Sequence, residues 1–322
     1  MSNTTNFIYA REKKSLGSVV ELHNVASVIT DSAKFQSIID GATISDFKII
    51  GDNVSASVSG EFNLQTNKNL NITTITKFID LDNKCIRVGK EMFLKCLELT
   101  DFKSENVQYF DDYAFSLAKK LKEIKSNYDG VYIGTQAFKT CVVCVFEMKI
   151  ATLHGSYQFH NCRLMNFNKV SFTQPVDIPN YAFYRTGAGA TYTSVDMPEI
   201  ISVGVSSFYR STVLTKKVKL NNLTNLNRDA FRLCNFEDFE GLNVTTATNG
   251  ANRCFSSGTL KNIKLPKFKK TSVFHLDHLI FGPCAPNANI TVNIAMKTSN
   301  SGGIDADLVR LRDNGATIVY TT

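Results

Sequence analysis

The chain has 322 residues, of which 43% are hydrophobic and 20% charged, so a folded protein is expected rather than a disordered one. The formal net charge of +7 does not by itself indicate nucleic-acid binding, because the Lys residues are scattered rather than gathered on one face. No run of about 18 apolar residues occurs, so no membrane span is predicted. The N-terminal sequence lacks a basic segment followed by an apolar one, so a secretory signal is not expected.

Residues 1–70 are rich in Ser, Asn and Thr and do not share the periodicity of the rest of the chain. Strand-like alternation runs from Asn53 to Leu64, and a short helix is predicted between Asp31 and Ile39. We interpret this segment as a β-rich N-terminal domain. It either anchors the molecule or covers the first coil of the repeats that follow, since a repeat stack needs its ends capped.

A Phe residue, usually preceded by a small residue, recurs through the middle of the chain at intervals of 21 to 25 residues. The residue four before this Phe is a turn former in seven of eight units, and the residue three after it is small in all eight. A regular period of this length indicates a repeat protein whose units bury their apolar faces against one another. The eight Phe residues, named the peg residues below, are Phe93, Phe115, Phe138, Phe159, Phe183, Phe208, Phe231 and Phe255.

Each unit is predicted to contain a short apolar strand, a tight turn or short helix that buries the peg, and a second strand. The second strands include residues 121–125 and 260–266, in which Leu121 and Ile263 are expected to point inward. Small residues beside the peg would let neighbouring units approach closely. At about 4.8 Å per stacked strand, eight coils would form a rod about 40 Å long.

The segments VGKEMFLKCLELTDF (Val88–Phe102) and IGTQAFKTCVVC (Ile133–Cys144) resemble the BspA-like, Treponema-type leucine-rich repeat. The resemblance covers about residues 72–275 and implies a mixed α/β repeat solenoid, a stack of about eight coils within residues 71–280. It also implies a non-enzymatic protein that binds surfaces. The family includes adhesins, protist proteins and structural proteins of bacteriophages that infect gut bacteria.

Residues 281–322 are predicted to form a small C-terminal cap. A closing strand is expected over 287–297, a linker over 298–303, a helix over 304–315 and a terminal strand over 316–322. The helix has acidic residues early, Arg late and Gly at its end, as the helix dipole and the C-cap favour. This segment either caps the stack or pairs with another copy of the chain.

Two groups of residues have the composition of a redox or metal site. Cys141 and Cys144 form a C-x-x-C, which suits a redox pair or half of a zinc site, but both occupy core positions of the repeat. His275 and His278 enclose Asp277, although a zinc site needs further ligands. No phosphate-binding or nucleophile motif occurs, so we expect no enzyme activity, no cofactor and no metal.

The outer face of the second strands is the candidate binding site, because its charge alternates in sign from coil to coil. Solenoids dock protein partners on such faces, although a solvated face without a partner would have the same pattern. The candidate face comprises Lys122, Lys125, Lys217, Lys219, Glu237, Glu240, Lys261 and Lys264.

Together with the resemblance, these observations lead to the hypothesis of a virion component, a head or tail fibre of a bacteriophage. Its expected partners are other virion proteins, further copies of itself and a receptor on the host surface. The alternative is a leucine-rich repeat adhesin on the surface of a bacterial or protist cell. Neither hypothesis involves nucleic acid.

Overall fold

The computed structural model shows a β-solenoid of about nine turns, with an antiparallel β-segment at its N-terminal end. The residues that it describes are 18–26, 28–187, 194–214, 216–248, 253–269, 280–282, 284–285, 287–298 and 305–322.

The N-terminal segment contains four strands and one short helix: β1 (Ser18–His23), α1 (Ser32–Gln36), β2 (Ile39–Asp40), β3 (Ile44–Ile50) and β4 (Asn53–Val58). The carboxylate of Asp31 caps α1, since it accepts a hydrogen bond from the Lys34 N–H at 2.8 Å. Alternate residues of β4 are buried, as the sequence pattern predicted. Strand β4 pairs antiparallel with both β1 and β3.

Two columns of short strands run along the solenoid, one before and one after each peg turn. The first column contains β5 (Phe62–Leu64), β7 (Cys85–Val88), β9 (Tyr109–Phe110), β13 (Val176–Ile178), β15 (Ile200–Val203), β17 (Asn225–Leu226) and β19 (Thr246–Ala247). The second column contains β6 (Lys77–Asp80), β8 (Asp101–Lys103), β12 (Val170–Phe172), β14 (Ser194–Asp196), β16 (Lys217–Lys219), β18 (Asp238–Glu240), β20 (Asn262–Leu265), β21 (Asn289–Asn293) and β22 (Thr317–Thr321). Strands β10 (Glu123–Ile133) and β11 (Val145–Leu153) are longer and run through both columns.

Strands of successive coils pair in parallel, as stacked coils of one handedness require. One sheet has the order β3-β4-β1-β6-β8, so the N-terminal segment is continuous with the second column. A seven-stranded sheet has the order β12-β11-β10-β9-β7-β5-β2, and a six-stranded sheet has the order β14-β16-β18-β20-β21-β22. Two smaller sheets pair β13 with β15 and β17 with β19.

The peg turns have a repeated backbone conformation that is not helical. The residue two before each of the eight pegs has a positive φ between 51° and 61°, and in seven units so has the residue two after it. Non-glycine residues rarely adopt this conformation. Here it directs alternate N–H groups at the next coil: Glu91, Phe93 and Lys95 donate to carbonyl oxygens of Asp112, Ala114 and Ser116 at 2.8 to 2.9 Å. The ladder between coils therefore stabilises a strained local backbone.

The peg residues form one continuous stack in the core. All eight are fully buried, and consecutive rings lie 4.9 to 5.7 Å apart at angles of 6° to 18°. A ninth ring, Phe281, continues the stack, since it lies 5.9 Å from Phe255 at an angle of 14°. The prediction that the pegs occupy equivalent positions in a solenoid is confirmed. Phe281 was missed because it follows Phe255 by 26 residues and Ile280, which is not small, precedes it.

Close approach of the coils explains the glycines four residues before some pegs. A Cβ added to Gly134 would lie 2.6 Å from the backbone nitrogen of Asp112. A Cβ on Gly204 would lie 2.6 Å from the backbone nitrogen of Asn180. Side chains at these positions would push neighbouring coils apart.

The C-terminal segment adds two strands to the solenoid. Strand β21 ends at Asn293 and a 3-10 helix follows from Ile294 to Thr298, so the strand expected over 287–297 was too long. It is also not the closing strand, because β22 pairs in parallel along its far edge. The predicted helix is present as α2 (Ala306–Asp313). In the described residues, helices occur only near the two ends, so mixed α/β was too loose a description of the fold.

Helix α2 satisfies the backbone of the last peg. In earlier coils the peg N–H donates to a carbonyl of the following coil, but Phe281 donates to the buried Asp307 carboxylate at 3.0 Å. The Arg310 guanidinium donates to the Phe281 carbonyl and to Asp307, the latter at 3.0 Å. Two side chains thus take the place of the next coil's backbone.

Candidate binding surfaces

The cysteines examined as a redox or metal site belong to the core. Cys141 and Cys144 are fully buried. The thiol of Cys141 donates to the Phe115 carbonyl at 3.2 Å, and the thiol of Cys162 donates to the Phe138 carbonyl at 3.0 Å. Burial raises the pKa of all three thiols, so the reactive thiolate is disfavoured. These cysteines act as small residues that hydrogen-bond the preceding peg.

The described part of the chain holds no group of three or more His, Cys, Asp or Glu side chains able to bind a metal ion. His275 and His278 lie outside the described residues. Within those same residues, no helix is long and apolar enough to cross a membrane.

Six of the eight residues of the candidate face lie together on the six-stranded sheet or directly before one of its strands. Lys217, Asp238 and Asn262 are aligned across β16, β18 and β20. A parallel row aligns Lys219, Glu240 and Lys264. Glu237 and Lys261 precede the strands β18 and β20 in the same way. The alternation of charge seen in the sequence therefore becomes rows of neighbouring side chains.

Opposite charges of neighbouring coils are paired on this face. Lys261 Nζ lies 2.7 Å from Glu237 Oε2, and Lys264 Nζ lies 3.5 Å from Glu240 Oε2. The hydrogen bond from Lys261 lowers the pKa of Glu237 and raises the pKa of Lys261. Exposed pairs of this kind contribute about 0–1 kcal/mol each, so they set the register of charges more than the stability of the fold.

Lys217 and Lys219, at the other side of the acidic strand β18, are exposed and have no carboxylate within ion-pair distance in the described part of the chain. The sheet surface around them is a concavity of about 430 Å³. Its polar lining comprises Lys217, Lys219, Asp238, Glu240, Asn262, Lys264, Asn289 and Thr291. A basic row thus lies beside a row of carboxylates inside one shallow groove.

Lys122 and Lys125 are not part of this groove. They lie at the start of β10, which belongs to the seven-stranded sheet. Lys125 is paired with Glu105 at 3.2 Å, and this hydrogen bond raises the pKa of Lys125. The eight residues of the candidate face therefore do not share one sheet.

A second surface, named the aromatic ridge, was not identified from the sequence. It consists of Tyr157, His160, Tyr181, Tyr184 and Tyr209, which lie two residues before or one after a peg. Tyr157 and Tyr181 stack at 4.5 Å and 5°. His160, Tyr184 and Tyr209 form a second stack with ring distances of 4.8 and 5.0 Å. Alignment of the units on their pegs would have revealed this column, because its members share a position but not an identity.

A family model described as the BspA type leucine rich repeat region matches residues 64–166 and 176–299, with six copies. The match covers more than half of the chain, so the protein belongs to this leucine-rich repeat family. The resemblance noted in the sequence is confirmed. No curated protein and no solved structure matches the chain.

Proposed function

We propose that the chain is a non-enzymatic docking protein of a virus particle, a head or tail fibre component that binds a protein partner in the groove of the six-stranded sheet. Leucine-rich repeat stacks of this kind serve protein binding or adhesion. The observation that carries the docking proposal is the groove itself, where unpaired Lys217 and Lys219 lie beside the carboxylates of Asp238 and Glu240.

The groove suits a partner with a complementary row of charges. Its side chains extend from strands that are paired on both sides, so little conformational freedom is lost when a partner binds. Lys217 and Lys219 favour an acidic segment, while Glu240 is already compensated by Lys264 at 3.5 Å. Electrostatic complementarity of this kind favours correct orientation and fast association.

Several features support a role without catalysis. The thiols that could act as nucleophiles are buried, and their raised pKa values keep them protonated. The groove contains Lys, Asn and carboxylate side chains in an open sheet face, without the enclosed pocket that catalytic sites usually need.

The location in a virus particle rests on the resemblance, whose family includes bacteriophage structural proteins, and on the rod-like stack, which suits a fibre. Mass spectrometry of purified particles tests it. We expect the chain to be present in a fixed ratio to the major capsid protein. Its absence from particles would contradict this location, and its release from intact cells by a protease would favour the cell-surface adhesin.

Docking in the groove is tested separately with a photo-reactive amino acid. It replaces Asn262, which faces the groove, or the exposed Thr245, which precedes β19 in the other column. Irradiation of assembled particles should link position 262 to one virion protein, or to a second copy of this chain, and leave position 245 unlinked. Equal products from both positions would contradict a specific docking face.

A further inference from the structure

The aromatic ridge carries cations that have no acidic partner. The guanidinium carbon of Arg185 lies 5.6 Å from the ring centre of Tyr184, and that of Arg210 lies 5.5 Å from the ring centre of Tyr209. Both Arg side chains are exposed, and neither has a carboxylate within ion-pair distance among the residues described. Arg232 also covers Tyr209 but is paired with Asp229 at 3.2 Å.

The ring faces of the ridge are already covered. Tyr184 lies between His160 and Tyr209, which stack on its two sides at 4.8 and 5.0 Å. Tyr157 is covered by Tyr181 on one side, and Lys139 lies 5.2 Å from its ring centre. A ligand can therefore reach ring edges, phenolic hydroxyls and guanidinium groups, but not open aromatic faces. This arrangement disfavours nucleic-acid bases, which bind single-stranded sites by stacking on such faces.

The available groups are suited to an anion that also carries hydroxyls. A guanidinium binds a carboxylate through two parallel hydrogen bonds, and its contact with an aromatic ring holds it in place. The neighbouring tyrosine hydroxyls both donate and accept hydrogen bonds, as sugar hydroxyls require. The stacking also keeps the rings in fixed orientations, which lowers the entropy lost on binding.

The spacing of the coils selects among polyanions. Arg185 and Arg210 occupy the same position in successive coils, and stacked strands are about 4.8 Å apart. Sugar units of an extended polysaccharide advance by a similar distance. Acidic side chains on one face of an extended peptide are further apart, at about 6.7 Å, and duplex DNA carries one charge per about 1.7 Å of axis.

From these contacts we propose that the aromatic ridge is a binding site for a carboxylate-bearing polysaccharide, which lies along the solenoid across the coils of Tyr157 to Tyr209. Arg185 and Arg210 bind its carboxylates, and the tyrosine hydroxyls bind its sugar hydroxyls. The ridge lies on the peg turns and is distinct from the groove of the six-stranded sheet, so this site goes beyond the proposed docking function.

The test uses polygalacturonate, a polymer of one uronic acid, with the full-length protein in isothermal titration calorimetry at low salt. The wild-type protein should bind it, and the affinity should fall as salt rises. Fully methyl-esterified polygalacturonate, which keeps the sugar chain but lacks the charge, should not bind. The double substitution Arg185→Ala and Arg210→Ala should weaken binding by about tenfold or more, since it removes two charge-assisted contacts.

A matched control removes the same charge elsewhere. Arg163 and Arg228 are also exposed and have no ion pair within the described residues, but neither contacts the ridge. The double substitution Arg163→Ala and Arg228→Ala should leave the affinity within about twofold of wild type, a change of less than about 0.5 kcal/mol. Thermal unfolding of both variants checks that the fold is retained.

Three results would overturn the proposal. The first is no binding of polygalacturonate by the wild-type protein. The second is an equal loss of affinity in both double variants, which would indicate a general effect of net charge. The third is tighter binding of poly-glutamate or of a single-stranded oligonucleotide than of polygalacturonate, which would assign the ridge to another class of polyanion. None of these results depends on the cross-linking that tests the groove.

Discussion

Replacing Phe183 by Ala should remove a central ring from the peg stack. Its ring is fully buried and lies between Phe159, at 5.4 Å and 6°, and Phe208, at 5.2 Å and 9°. Phe167 packs against it edge-on at 5.3 Å. The substitution therefore removes three aromatic contacts and leaves a cavity in the middle of the solenoid.

We expect the free energy of unfolding to fall by about 4–5 kcal/mol, the upper part of the range of about 3–5 kcal/mol for a buried Phe replaced by Ala. The cavity cannot collapse easily, because hydrogen bonds between coils fix their spacing: Phe159 N–H donates to the Ala182 carbonyl at 2.9 Å, and Phe183 N–H donates to the Ser207 carbonyl at 2.8 Å. The aromatic pairs add about 0.5–1.5 kcal/mol each beyond the area that they bury.

Urea unfolding followed by circular dichroism measures this loss. Leu233→Ala is the control, because Leu233 also lies on a peg turn but is 39% exposed, and its loss should stay near 0.5 kcal/mol or below. If Phe183→Ala cost less than about 1 kcal/mol with an unchanged m-value, the ring would not be part of a close-packed stack.

Three further predictions concern the spacing, the end and the charges of the stack. Gly204→Ala should cost about 1–3 kcal/mol in urea unfolding, because its Cβ would lie 2.6 Å from backbone, whereas Gly258→Ala, with no atom within 4 Å, should be nearly neutral. Asp307→Ala should cost about 2 kcal/mol and speed hydrogen exchange of the Phe281 amide, which loses its buried acceptor; unchanged exchange would refute that cap. Hydrogen bonding from Lys261 lowers the pKa of Glu237, so the pair's stabilisation is present above the ordinary carboxyl pKa of 4.5 and is lost as the pH falls through the lowered value. In an NMR titration, Lys261→Met should raise the pKa of Glu237 toward 4.5, and no change would show that the pair does not persist in solution.

The core of the solenoid could be predicted because each coil imposes the same packing requirement. The eight pegs and the small residues beside them share a register, and the structure places all eight rings in one stack. Phe281 departs from that register because α2, rather than another coil, covers it. A search for one fixed interval therefore stops one ring too early.

The binding surfaces could be predicted only in part. Surface positions of a repeat are free to vary, so Tyr184 and Tyr209 align with His160 and Arg232 and give no recurring residue type. Charge alternation in the second strands was visible, but the sequence does not show where one sheet ends. Lys125 for this reason was grouped with residues of a different sheet. The order of β21 and β22 was missed because strand pairing depends on tertiary contacts rather than on local propensity.

The linear stack of pegs is the claim on which both proposed surfaces depend, since it aligns their residues in columns. Double-mutant cycles with Phe→Leu substitutions test it most directly. Phe183 and Phe208, in contact at 5.2 Å, should couple by about 0.5–1.5 kcal/mol, whereas Phe138 and Phe208, three coils apart, should be additive within about 0.5 kcal/mol. Additivity in the adjacent pair, or equal coupling in both pairs, would contradict a stack in which each ring contacts only its neighbours.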